Sequence, residues 1–209
     1  MLEKFLNDLE KEKCNDNCPF KLRNDRPIIK IPPPKKPLMM IISRDPTINF
    51  LPLYNLSKNY NQETQRLMLF SGAIPQMLLT RMNQFLEKSE EKKNIQEFYK
   101  LFDFTYWTHF HKCPTDKYNK FDKICAGKWL LKEIKEGKKS GIQVIVTLGE
   151  HAKNWIEKNL DDEIKKEIEI ISLYHPSRRA PIWDNEEYTI KIKSKIEELR
   201  AQIIRLSNK

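Results

Sequence analysis

The hydrophobic pattern of the chain alternates between buried strands and amphipathic helices. Residues 38–43 and 142–148 are almost continuous apolar runs, of the length expected for strands that are buried on both faces. Residues 2–13 and 192–206 instead carry apolar side chains at three- and four-residue spacing, which indicates helices that bury one side. Strands of the first kind that alternate with helices predict a mostly parallel α/β sheet.

The rest of the pattern supplies two more strands and four more helices. An aromatic-rich strand is predicted at residues 102–110 and a fourth strand at residues 168–174. The further helices are predicted at residues 75–86, 94–101, 125–138 and 150–159. We therefore expect a three-layer α/β/α sandwich with a central, mostly parallel four-stranded sheet, which forms one domain over residues 1–209.

Two proline-containing segments interrupt this pattern. Residues 26–37 contain five prolines and cannot sustain a helix or a central strand, so they predict an extended crossing. With the first helix, this crossing makes residues 1–37 an N-terminal segment packed onto the domain. Residues 46–62 hold two prolines and four asparagines, which predicts a long loop, and loops of that length inside compact domains are usually functional.

The charge of the chain points to a polyanionic partner. Its 209 residues include 38 basic and 29 acidic side chains, a formal net charge of +9. The alternative is an ordinary surface rich in lysine, glutamate and isoleucine. No phosphate-binding glycine motif, membrane-spanning run or secretory signal is visible. We therefore expect a cytoplasmic protein that does not associate with a membrane.

Polar side chains follow each predicted strand at its carboxyl end, where open parallel sheets bind their ligands. Arg44 and Asp45 follow the first strand, residues 109–113 the second, Gly149 the third and residues 175–177 the fourth. An acid, several histidines and a glycine thus converge on one edge of the sheet. The sequence predicts a functional site there.

The four cysteines form two pairs that lie about a hundred residues apart in the chain. In a reducing compartment such pairs hold metal more often than they form disulfides. Four thiolates suit either a [4Fe–4S] cluster or a tetrahedral zinc ion. Two alternatives are four unrelated buried cysteines and a triad of His109, His111 and Cys113, which would leave the first pair unused. The predicted ligands are Cys14, Cys18, Cys113 and Cys125.

Several motifs resemble those of one enzyme family, and they occur in that family's order. Leu69-Phe70-Ser71-Gly72 resembles its Pro-Phe-Val-Gly, and Thr108-His109-Phe110-His111-Lys112-Cys113 resembles its Thr-Asn-Val-Val-Lys-Cys. Cys18-Pro19-Phe20, Cys125, residues 144–152 and Tyr174-His175-Pro176-Ser177 complete the series. The chain thus resembles, over nearly its whole length, the uracil-DNA glycosylase superfamily, closest to its iron–sulfur (family 4) branch.

The chain departs from that branch at three places. Ser43-Arg44-Asp45-Pro46-Thr47 replaces the usual Gly-x-x-Pro-Gly, and its Asp-Pro is similar to the Gly-Gln-Asp-Pro-Tyr of another branch of the superfamily. His109 stands where the family reads uracil with an asparagine. The cysteine spacings also differ from the usual ones, at three and eleven intervening residues. The preferred base therefore stays open between uracil and a deaminated purine such as hypoxanthine or xanthine.

The resemblance implies an enzyme that hydrolyses the N-glycosidic bond of a damaged base in DNA. Asp45 would orient the attacking water and His175 would stabilise the departing base, although an aspartate before a proline also commonly caps a turn. Phe70 would stack on the flipped base and His109 would read its edge. The activity that the resemblance implies is thus that of a monofunctional DNA N-glycosylase, which leaves an abasic site.

The resemblance also implies how the protein meets DNA, duplex or single-stranded. Ser177, Arg178 and Arg179 would lie on a loop that probes the minor groove, and Lys112, with Lys117 and Lys120, would track phosphates. The cysteines would hold a structural [4Fe–4S] cluster, with zinc as the alternative. We expect a monomer. The rival hypotheses are a catalytically weak or inactive nucleic-acid-binding member of the fold, and a zinc-bearing protein with no nucleic-acid role.

Overall fold

The computed structural model of the chain describes residues 2–11, 28–44, 46, 48–85, 91–114, 122–177 and 181–208. Its centre is a sheet with the strand order β2-β1-β3-β4, in which every neighbouring pair is parallel. The strands are β1 (Met39–Ser43), β2 (Thr105–His109), β3 (Val144–Leu148) and β4 (Glu169–Leu173). The predicted α/β class is confirmed, and the sheet is wholly parallel.

Helices cover both faces of the sheet, because consecutive parallel strands need crossover connections. One layer consists of α2 to α5 with α9, and the other of α1 with α6 to α8. The helices are α1 (Leu2–Lys11), α2 (Leu51–Ser57), α3 (Gln62–Phe70), α4 (Ala73–Gln84), α5 (Glu91–Phe104), α6 (Asp122–Lys139), α7 (Glu150–Asn159), α8 (Asp162–Glu167) and α9 (Thr189–Ser207). The three-layer α/β/α arrangement follows.

The alternation of side chains along β1 shows why the sheet is buried on both sides. Met39 and Ile41 point into the core beneath the first helical layer, and Met40 and Ile42 into the core beneath the second. None of these four side chains is exposed. A central parallel strand has no polar face, so its sequence is a continuous apolar run rather than an alternating one.

Residues 2–11 and 28–37 pack onto the domain. Leu2, Leu6 and Leu9 of α1 lie in the same core as α6. The proline-rich crossing is extended and follows β2, since the Ile29 amide donates to the Lys112 carbonyl at 2.8 Å and the Leu38 amide to the Phe104 carbonyl at 2.9 Å.

The loop predicted for residues 46–62 is largely helical, which corrects that prediction. A 3-10 helix at Ile48–Phe50 leads into α2, and Gln62 already begins α3. Pro52 occupies the first turn of α2, where its missing N–H would have had no helical partner. Asn61 caps α3 by accepting from the Thr64 amide at 3.0 Å. Pro52 and Asn61, two of the residues that indicated a loop, lie instead where helices begin.

Two other element boundaries shift for similar reasons. The helix predicted to start at Pro75 begins at Ala73, because proline is tolerated within the first helical turn. Residues 102–104, predicted as strand, form the last turn of α5, from which Phe102 and Phe104 reach the core. Within the described residues, no helix combines the length and the hydropathy needed to cross a bilayer.

Candidate functional site

All four strands end at one edge of the sheet, and the segments that leave them stay hydrogen-bonded in pairs. The Phe110 amide donates to the Ser43 carbonyl at 2.7 Å, and the His111 amide to the Arg44 carbonyl at 2.8 Å. On the other half of the edge, the Gly149 amide donates to the Leu173 carbonyl at 2.8 Å. Backbone hydrogen bonds thus hold the segment after β2 against the end of β1, and the residue after β3 against the end of β4. A site needs rigid support of this kind.

His175 lies at the β3–β4 half of this edge, where the fold orients its ring. Gly149, which leaves β3 with a φ of +90°, brings its backbone so close that an added Cβ would lie 3.3 Å from the His175 Cβ. The Ser177 amide donates to the His175 Nδ1 at 3.3 Å. An Nδ1 that accepts an N–H carries no proton, so the proton of a neutral His175 ring would lie on Nε2.

Trp183 anchors the segment after His175, a role that no pattern in the sequence indicated. Its indole N–H donates to the His175 carbonyl at 2.8 Å, and its buried ring contacts Phe85 with a centroid separation of 5.9 Å. The guanidinium carbon of Arg81 lies 5.9 Å from the ring centroid, and Arg81 pairs with Asp184 at 2.8 Å. Trp183 therefore connects the backbone of His175 to the end of α4 and to the 3-10 helix Pro181–Asp184.

His109 ends β2 at the other half of the edge, where it is buried. Its side chain is 7% exposed, and its backbone pairs with Ser43 of β1. Burial of the ring lowers the pKa of His109 from its ordinary value of 6.5 to about 3, with Lys112 and His111 adding positive charge nearby. His109 is therefore a neutral imidazole at physiological pH, with one donor and one acceptor nitrogen.

The two histidines flank the end of β1. Because β1 and β3 lie between β2 and β4, three strand spacings, or roughly 14 Å, separate the ends of the strands that the two histidines follow. Arg44 follows β1 in this interval.

Phe70 does not lie at this edge as an open stacking surface, contrary to the role that the resemblance implies. It is 3% exposed, stacks on Phe102 with ring centroids 4.8 Å apart and tilts against Trp107 at 6.2 Å. The Arg66 guanidinium carbon lies 5.7 Å from the Phe70 ring centroid. Its neighbours already occupy the space that a base would need, so Phe70 is a core residue here.

Phe50 is the aromatic ring that borders His109. Its centroid lies 6.5 Å from that of His109, and the ring is only partly buried. Gly72 permits this position, since a Cβ there would lie 3.3 Å from Phe50 Cε2. The hydrophobic pattern of the sequence did not mark Phe50 as a neighbour of His109. The only indication was its position four residues after Pro46, close to the motif that contains Asp45.

Lys112 is also placed differently from its expected position on a phosphate-tracking rim. The residue is 1% exposed, and its ammonium pairs with the carboxylate of Glu133 on α6. Thr108 accepts from the Lys112 Nζ at 2.6 Å, and Tyr106 also donates to Glu133. Burial, reinforced by the Glu133 charge, raises the pKa of Tyr106 well above its usual value. Lys112 is an interior residue, unavailable to phosphate.

Two of the four predicted metal ligands lie beside this polar cluster. Cys113 is buried just past β2, Cys125 is partly buried near the start of α6, and they form no disulfide. The Lys112 amide donates to the Cys125 Sγ at 3.4 Å, a contact that favours a thiolate. Within the described part of the chain, no three or more histidine, cysteine or acidic side chains converge as a metal site.

The remaining predicted site residues lie outside the described residues. These are Cys14, Cys18, Asp45, Lys117, Lys120, Arg178 and Arg179. Ser177 is described and partly buried, with its amide on His175. The structure therefore brings His109, His175 and Ser177 to one edge, and Cys113 and Cys125 to the region behind β2.

The chain is a three-layer α/β/α protein with an all-parallel sheet, and His109 and His175 lie at the carboxyl edge of that sheet. No protein-family model matches the chain, and no curated protein matches its sequence. The evidence for a family is thus confined to the order of its motifs.

Proposed function

We propose that this protein is a monofunctional DNA glycosylase similar to those of the uracil-DNA glycosylase superfamily. It would extrude a deaminated base from DNA, hydrolyse its N-glycosidic bond and leave an abasic site. The observation that carries this proposal is His175, whose Nδ1 accepts the Ser177 amide beside Gly149 at the carboxyl edge of the sheet, and to whose Nε2–H we assign the contact with the base.

The leaving group is the main electrostatic problem of such a reaction. As the glycosidic bond breaks, negative charge develops on the base, and the Nε2–H of His175 stabilises it at a carbonyl oxygen. Because Gly149, Ser177 and Trp183 fix the imidazole beforehand, little reorganisation is needed when the charge appears. Asp45 completes the mechanism by orienting the attacking water and by opposing the positive charge on the sugar.

The base would be read by His109, at the end of β2. His109 offers one donor and one acceptor nitrogen, held neutral by burial, and Phe50 supplies the aromatic border. An imidazole cannot present the paired donor and acceptor of an asparagine amide. We therefore propose a substrate range wider than uracil, which includes a deaminated purine such as hypoxanthine or xanthine.

DNA would be bound electrostatically, by a monomer acting in the cytoplasm. The net charge of +9 supports a polyanionic ligand, and Ser177 with Arg178 and Arg179 is the proposed contact after His175. Changing both arginines to alanine should weaken binding to all sequences alike and flatten the salt dependence of affinity. Unchanged affinity and slope would remove this loop from the interface.

The four cysteines are proposed to hold a structural [4Fe–4S] cluster, with zinc as the alternative. Cys113 and Cys125 fit such a group, because they lie on adjoining elements without a disulfide and one accepts a backbone N–H. With Cys14 and Cys18 they would fasten the N-terminal segment to β2 and α6. Anaerobically purified protein should be brown with about four irons per chain; a single stoichiometric zinc would replace the iron assignment.

The decisive experiment is a cleavage assay on matched oligonucleotides. Duplex and single strands bearing uracil, hypoxanthine or xanthine are incubated with the protein, and abasic sites are revealed by alkali. Asp45→Asn should reduce single-turnover cleavage on the order of a hundredfold while DNA affinity changes only a few-fold. A variant that cleaves as fast as the wild type would place the water on another residue.

One observation favours the rival function, a binding protein that does not cleave. Phe70 is enclosed by Phe102 and Trp107, so the base-stacking surface implied by the resemblance is missing. If Phe50 replaces it, Phe50→Leu should weaken binding of lesion-bearing DNA and slow cleavage, whereas undamaged DNA should bind as before. Wild-type protein that binds lesions yet cleaves none of the three bases would decide for the rival.

A further inference from the structure

Lys112 connects three parts of the chain that are distant in sequence. Its ammonium pairs with Glu133 on α6. Its amide donates to the Cys125 Sγ at 3.4 Å, also on α6. Its carbonyl accepts the Ile29 amide of the proline-rich crossing at 2.8 Å. One residue thus joins the end of β2, the helix that carries Cys125 and the segment that follows Cys14 and Cys18.

The two contacts of Lys112 on α6 are separated along that helix. Cys125 and Glu133 are eight residues apart, just over two helical turns, and so share a side of α6. Lys112 lies along this side, with its backbone at Cys125 and its side chain at Glu133. Attachment at two points fixes both the rotation and the axial position of α6 relative to the end of β2.

The ion pair is enclosed and satisfied. Glu133 is 0% exposed; one carboxylate oxygen accepts from Tyr106 and from Thr108, at 2.8 Å for the latter, and the other accepts from Lys112. Removing two charges from water is so expensive that a buried pair is often no more stabilising than apolar residues of the same size. Stability alone therefore gives no reason for this pair, but geometric specificity does.

We propose that Lys112 and Glu133 are positioning residues for the cysteine site: their ion pair clamps the end of β2 to α6, so that Cys113 and Cys125 keep their relative placement and the Lys112 N–H stays on the Cys125 sulfur. This inference rests on the proposed role of the cysteines as metal ligands and is independent of glycosylase activity. Backbone N–H bonds to ligand sulfur are among the outer contacts that hold and tune thiolate metal sites.

The test compares Glu133→Gln, Lys112→Met and the double variant Lys112→Met/Glu133→Leu with the wild type. Lys135→Gln is the matched control, because Lys135 also lies on α6 and pairs with an acid, Asp161 at 2.9 Å, but both side chains are about half exposed. The measurements are metal per chain after anaerobic purification, the rate of metal release to a chelator, and denaturant unfolding of the same samples.

Each single variant should release metal roughly tenfold to a hundredfold faster than the wild type, as loss of an outer contact to a metal ligand generally does. The double variant, which leaves no unpaired buried charge, should recover most of the unfolding midpoint and still release metal faster. Lys135→Gln should match the wild type in both. A double variant that recovers both properties together would show that the pair acts only on folding.

Amide hydrogen exchange gives a second readout that needs no metal. In both single variants, protection of the peptide at residues 110–114 should fall while residues 144–148 of β3 remain protected. Unchanged exchange and unchanged release would overturn the clamp. Wild-type protein that retains neither iron nor zinc would also overturn the proposal. Absence of base cleavage with altered metal release would instead refute the glycosylase and leave this inference standing.

Discussion

His109 and His175 occupy the same edge of one sheet, yet their surroundings give them opposite chemistry. His109 ends a strand beneath Phe50, and burial holds its ring neutral with a pKa of about 3. His175 lies two residues past β4 in a partly open position, where the Ser177 amide determines which nitrogen carries the proton. The two rings are of the same residue type, so their positions relative to the strand ends account for this difference in burial and hydrogen bonding.

The largest expected effect on the proposed cleavage comes from His175, in the partly open half of the edge. His175→Ala should reduce single-turnover cleavage on the order of a hundredfold or more, a loss of about 3 kcal/mol, because the donor to the developing charge is removed. Affinity for the same DNA should stay within a few-fold, which filter binding or fluorescence anisotropy can measure. Equal losses in binding and cleavage would mean that His175 acts on the ground state instead.

Burial of His109 should instead affect how the free energy of unfolding depends on pH. Because His109 has an ordinary pKa of 6.5 when unfolded and about 3 when folded, the unfolded chain takes up the extra proton between these values. Its contribution therefore destabilises the fold as pH falls below 6.5, by up to about 1.4 kcal/mol per pH unit.

The measurement is denaturant unfolding of wild type and His109→Asn from pH 7 to pH 4. The difference between their stabilities should change with pH in the direction that makes the variant relatively more stable in acid. Parallel curves would show that His109 titrates with an ordinary pKa in the folded protein, and the contrast between the two histidines would disappear.

The same variant tests base preference. His109→Asn supplies an amide with both a donor and an acceptor, so the ratio of kcat/KM for uracil over hypoxanthine should rise, on the order of tenfold. Competition between the two oligonucleotides in one reaction measures this ratio directly. His175→Ala is the control, because it should slow both substrates without changing their ratio. A ratio unaffected by His109→Asn would place base recognition elsewhere.

The smallest effect should come from the anchor beneath His175. Trp183→Phe keeps a ring against Phe85 but removes the N–H that donates to the His175 carbonyl at 2.8 Å. A hydrogen bond of this kind contributes about 1 kcal/mol, so cleavage should fall roughly fivefold with little change in KM. If only the unfolding midpoint fell and cleavage of the folded enzyme did not, Trp183 would support the fold without orienting His175.

Much of the architecture was predictable because strand and helix periods are local properties. The apolar runs predicted β1 and β3, and the residues that follow each strand made the carboxyl edge of the sheet the candidate site. The asparagines and prolines of residues 46–62 led to the wrong prediction of a long loop, because the same residue types occur in loops and at the beginnings of helices. Only the neighbouring apolar side chains distinguish the two outcomes.

What tertiary structure alone decided is which side chains face an open space. Phe70 and Phe50 are equivalent as sequence, but Phe102 and Trp107 enclose the first, while Gly72 allows the second to approach His109. Lys112 follows a strand as a surface lysine would, yet Glu133, distant in sequence, draws its ammonium into the interior. Periodicity determines the face on which a side chain lies; the residues that cover that face come from elsewhere in the chain, and they determine whether it meets solvent, a ligand or the core.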